Sequence, residues 1–75
     1  MNVYKCYVPR AEYDKVKDTC ILIFNHLRKR DKECSDRQLD MRIGAIVRER
    51  YAIAGGTKSI LNIVTEYYNE IKKEG

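Results

Sequence analysis

The sequence predicts a mainly α fold: a three-helix bundle with a short N-terminal β-strand or extended arm, in one small helical domain over residues 1–75. Three observations carry this expectation. Apolar residues recur at helical spacing in three separate segments. Ser35 and Gln38 stand at the spacing of a capping box, in which hydroxyl and amide satisfy orphan backbone donors reciprocally. The doublet Gly55-Gly56, with Thr57 after it, interrupts what would otherwise be one long helix.

The arm comes first. Val3 to Val8 alternates Val3, Lys5 and Tyr7 on one side with Tyr4, Cys6 and Val8 on the other, and Pro9 ends it by removing a backbone donor. The chain contains no second strand to pair with it. The segment therefore lies along the helices as an arm or pairs with a second copy of itself.

Pro9 and Arg10 then open the first helix, with Glu12 and Asp14 where the helix dipole favours negative charge. Tyr13, Val16, Cys20, Ile23, Phe24 and Leu27 keep the helical period. Ile21-Leu22-Ile23-Phe24 is apolar on nearly all sides, which predicts that this helix is central. Arg28, Lys29, Arg30 and Lys32 crowd its carbonyl end, where cations complement the dipole. The second helix follows the Ser35 cap to near Ala54, with Leu39, Ile43, Ile46, Val47 and Tyr51 on its apolar face. Gly44 in its middle costs about 1 kcal/mol relative to alanine and marks close approach of another helix or a ligand. Thr57 is the expected cap of the third helix, which carries Ile60, Val64, Tyr67 and Ile71 and runs to near Lys73.

Seventy-five residues stand near the lower limit for a self-sufficient core, so a second copy is one way to hide further apolar surface. The net charge is +4 and is uneven: residues 1–33 hold eight basic groups against five acidic, and the last nineteen residues balance. Charge of this sign favours nucleic acid over acidic proteins as a partner. Cys6, Cys20 and Cys34 are odd in number and stand fourteen residues apart, so neither a disulfide framework nor a metal knuckle is expected, even with His26 as a fourth ligand. No leader and no membrane-length apolar run is read in the sequence, and a cytoplasmic setting is expected.

Catalysis is not expected. Around His26, positions 22, 23, 29 and 30 are Leu, Ile, Lys and Arg, so no carboxylate stands at helical contact spacing. The pairs Glu66/Glu70 and Asp36/Asp40 each share a helix face but meet no second acid–base partner. Gly55-Gly56 lacks the spacing and the lysine of a phosphate loop. No cofactor is implied.

The second and third helices instead suit a helix-turn-helix over residues 36–73. The third helix would enter the major groove of double-stranded DNA by its N-terminal end, where Thr57, Lys58, Ser59 and Asn62 carry base-reading chemistry. Arg37, Arg42, Arg48 and Arg50, with Arg28, Lys29 and Arg30, would supply the phosphate contacts that fix register.

Val47-Arg48-Glu49-Arg50 through Gly55-Gly56-Thr57-Lys58-Ser59, then Ile60, Val64 and Tyr67-Tyr68, resembles the N-terminal DNA-binding region of plasmid KfrA-type proteins. That family carries an Arg-rich helix, a Gly-Gly-Ser turn, and a helix with spaced aliphatics and a closing aromatic. The resemblance implies operator binding by an autoregulator of plasmid or phage type. The start Val3 to Val8, Pro9 and helix is also similar to ribbon-helix-helix repressors, which would turn Lys5 and Tyr7 toward DNA.

The alternative reading is a small protein–protein interaction module, of the phage or mobile-element kind that inhibits a host protein. Tyr4, Tyr7, Tyr51, Tyr67 and Tyr68 would then form the contact surface, because tyrosine anchors interfaces well.

Overall fold

A computed structural model of the protein describes residues 8–74. They form a 3-10 turn, Arg10–Glu12, and three helices: α1 (Tyr13–Arg30), α2 (Asp36–Ile53) and α3 (Ile60–Glu74). The mainly α expectation holds. The predicted strand lies outside the described residues except for Val8, which is half-buried against the core.

Pro9 is extended, and the Glu12 N–H donates to its carbonyl at 2.9 Å, closing the turn that leads into α1. Val16, Cys20, Ile23 and Leu27, at steps of four, three and four, form the buried stripe of α1. Helix α1 packs against both α2 and α3, more extensively than those two pack against each other, as the expectation of a central α1 requires, but its Ile21–Phe24 run is not enclosed on all sides. Ile21 and Leu22 are 40% and 49% exposed. Each helix of a three-helix bundle keeps one face in water, and these residues lie off the buried stripe.

At the start of α2 the capping box is complete. The Gln38 N–H donates to Ser35 Oγ at 3.2 Å, and the Ser35 N–H donates to Gln38 Oε1 at 3.0 Å. Leu39, Ile43 and Val47 are fully buried, Gly44 is buried beside them, and Ile46 and Tyr51 pack half-buried at the edge. The helix ends where Gly55 and Gly56 adopt φ of +70° and +71°, and the Gly56 N–H reaches back to the Tyr51 carbonyl at 3.0 Å. Left-handed backbone of this kind favours glycine.

Thr57 does not cap α3 as expected. Its hydroxyl donates to the Ala54 carbonyl at 2.8 Å, closing the turn behind it. Ser59 is the residue that precedes α3, and its carbonyl accepts from the Ile63 N–H at 3.1 Å. Two glycines in succession carry the chain further before the next helix can start. In α3, Ile60, Val64, Tyr67 and Ile71 are buried as predicted, and Ile63 joins them.

Contacts between helices fix the direction of each. At one end of the bundle the Ser59 hydroxyl donates to Glu12 Oε1, tying the start of α3 to the start of α1. At the other end Arg30 pairs with Glu74 at 3.8 Å, and His26 Nε2 lies 3.2 Å from the Ile71 carbonyl. Helices α1 and α3 therefore run the same way, with α2 returning between them. The Gly55–Ser59 turn and the α1–α2 connection stand at opposite ends, about 27 Å apart along an 18-residue helix.

Candidate nucleic-acid interface

The ten residues with DNA-binding chemistry are spread along the length of the bundle. Thr57, Lys58, Ser59 and Asn62 stand at the turn end. Arg28, Lys29, Arg30 and Arg37 stand at the far end, and Arg42 and Arg48 lie along α2 between them. Such a spread excludes a single compact pocket and fits, at most, an elongated contact along α2 and the start of α3.

Hydrogen bonding sorts them further. Arg28 donates to the Cys34 carbonyl and to Asp36 while its guanidinium sits over the Phe24 ring, so it ties α1 to the start of α2. Arg30 faces Glu74. Arg42 pairs with Asp31 at 2.8 Å, and that hydrogen bond raises the guanidinium above its ordinary pKa. Arg50 makes the firmest link: both terminal nitrogens donate to Glu70, at 3.1 and 2.7 Å, above the Tyr67 ring. Its pKa rises through that bond, and the Glu70 carboxyl is held below its ordinary value by the same bond. Lys58 Nζ reaches Glu66 Oε1 at 2.6 Å. The Ser59 hydroxyl is engaged by Glu12, whose other carboxylate oxygen is buried without a partner among the described residues.

Lys29, Arg37, Arg48 and Asn62 remain. All four are exposed, and none has a hydrogen bond or ion pair among the described residues. Arg37 and Arg48 are three turns apart on one face of α2, about 16 Å along the axis, and line a shallow groove with Asp40 and Met41. Asn62 projects from the first turn of α3, on the side away from buried Ile60, Ile63 and Val64.

Sequence reasoning did not find the acids that hold these cations. Glu66 and Glu70 read as a solvent-facing i,i+4 pair; in the fold they meet Lys58 and Arg50, eight and twenty residues upstream. The signal was the shared face of the two glutamates, but nothing local shows which cation arrives there. Among the described residues no cluster of His, Cys, Asp or Glu could hold a metal ion, and no helix is long and apolar enough to cross a membrane. Comparison with protein-family models, with curated proteins and with solved structures finds no match to this chain.

Proposed function

We propose that this protein binds double-stranded DNA as a small regulatory factor, through the unit formed by α2, the glycine turn and α3, and acts as a homodimer. The observation that carries the reading is the pair of unengaged arginines on α2, followed across the glycine turn by an exposed asparagine at the start of α3. A cation that no protein carboxylate holds contacts phosphate without first breaking an ion pair, which favours Arg48 and Arg37 over Arg28, Arg30 and Arg42. Asn62 carries the donor–acceptor pair that reads adenine in the major groove. The net charge of +4 adds long-range attraction to a polyanion. The KfrA-type resemblance of residues 47–68 points the same way, toward an operator-binding autoregulator in the cytoplasm.

The test is fluorescence anisotropy with a labelled mixed-sequence duplex, titrated from about 50 to 200 mM salt. The parent's log affinity should fall linearly with log salt, and Arg37→Ala and Arg48→Ala should each reduce that slope by about 0.9. Asn62→Ala should lower affinity for a selected site by about 1–3 kcal/mol and leave mixed-sequence binding nearly unchanged. A parent that ignores duplex DNA and heparin, or arginine variants with an unaltered slope, would show the reading to be wrong.

A second reading is favoured by one observation. Ile21, Leu22 and Met41 expose large apolar side chains on α1 and α2, the kind of surface an interaction module buries against a protein partner. Loss of partner capture by a Leu22→Asp, Met41→Asp variant that still folds, with DNA binding absent in the parent, would establish that class instead.

A further inference from the structure

Two residues with base-reading chemistry at the turn end are already occupied by acids of the same chain. Lys58 stands just before α3, yet its ammonium is not free: it folds back to Glu66 at 2.6 Å. Glu66 and Asn62 are one helical turn apart on the same face of α3, so the carboxylate that holds Lys58 stands on the face that carries Asn62. Ser59 gives its hydroxyl to Glu12 rather than to solvent. A carboxylate and a backbone phosphate offer a lysine the same interaction, a charge-assisted hydrogen bond to an anionic oxygen. Glu66 therefore sits where it competes with a phosphate for Lys58.

We propose that the Lys58–Glu66 pair is an autoinhibitory clamp: Glu66 holds Lys58 on the α3 face that carries Asn62, and DNA engages the turn end fully only when that pair opens. The proposal rests on the DNA reading above. Both partners are about half-exposed, so the pair is weak enough for a phosphate to displace. Opening it transfers the ammonium from a carboxylate to the duplex and releases one more counterion from the DNA.

The experiment compares the parent with Glu66→Gln, Glu33→Gln, Lys58→Ala and the double variant Lys58→Ala/Glu66→Gln, using the same mixed-sequence duplex. Glu33 lies in the α1–α2 connection at the opposite end of the bundle, so Glu33→Gln removes an equal charge without touching the clamp. Glu66→Gln should bind about two- to five-fold more tightly than Glu33→Gln, the range a half-exposed ion pair can withhold. Its salt slope should steepen by about 0.9, one added phosphate contact. Both gains should vanish in the Lys58→Ala background. A Glu66→Gln affinity equal to that of Glu33→Gln, or a gain that survives Lys58→Ala, overturns the clamp while parent binding keeps the DNA reading intact. Absence of binding by parent and Glu66→Gln alike overturns both.

Discussion

Neighbouring residues of α1 offer the sharpest test of how this bundle is put together. Ile23 is 0% exposed and Leu22 is 49% exposed, although both are large aliphatics in the middle of one helix. Truncating Ile23 to alanine removes methyl and methylene groups from the centre of the core and leaves a cavity that closes only in part. Such changes cost about 2–5 kcal/mol. A chain of this length has a total stability of about 4–11 kcal/mol at ordinary values per residue. Ile23→Ala therefore removes a large fraction of it. Leu22→Ala loses only the buried half of a side chain worth about 1.5–3 kcal/mol when fully buried, about 1 kcal/mol, and alanine's better helix propensity offsets some of that. Urea denaturation followed by far-UV circular dichroism measures both. Equal losses from the two variants would refute the assignment of the α1 faces. A Leu22→Ala loss that grows with protein concentration would place a second copy of the chain over Leu22.

Three further outcomes follow from the geometry. Ser35→Ala removes one arm of the capping box and should destabilise the protein by about 1 kcal/mol in the same denaturation assay. Burial, with a smaller contribution from the Asp40 charge, pushes the Cys20 thiol up to about 12; in a Cys6→Ser/Cys34→Ser variant, a thiol reagent should modify Cys20 only as fast as the protein unfolds. The Arg50 hydrogen bond holds the Glu70 carboxyl below its ordinary value of 4.5, so its contribution to stability is present above that pH and is lost as pH falls through the folded-state value. Glu70→Gln should accordingly flatten the acid limb of the stability–pH curve, by a small amount because the pair is solvent-exposed.

What the sequence makes legible here is what depends on near neighbours. The stripes Val16–Leu27, Leu39–Val47 and Ile60–Ile71 repeat at helical spacing, so each buried face can be read without knowing what it packs against. The Ser35–Gln38 cap and the paired glycines act within a few residues. The failures have the opposite character. Whether Ile21 and Leu22 meet another helix depends on how three helices are arranged around one another. Thr57 is a good cap by type, but the path of the turn sends its hydroxyl back to the Ala54 carbonyl. Lys58, Arg42 and Arg50 look alike as surface cations until the fold brings Glu66, Asp31 and Glu70 to them. Residue type alone marks the candidate DNA contacts, and only packing separates the engaged from the unengaged.

An odd number of alternating helices has a practical outcome. The chain leaves the bundle at Glu74, beside Arg30, while the glycine turn and Asn62 stand at the opposite pole. A tether or biotin acceptor attached where α3 ends would hold the molecule by the pole opposite the glycine turn and Asn62, which suits immobilised duplex-capture and partner-capture assays.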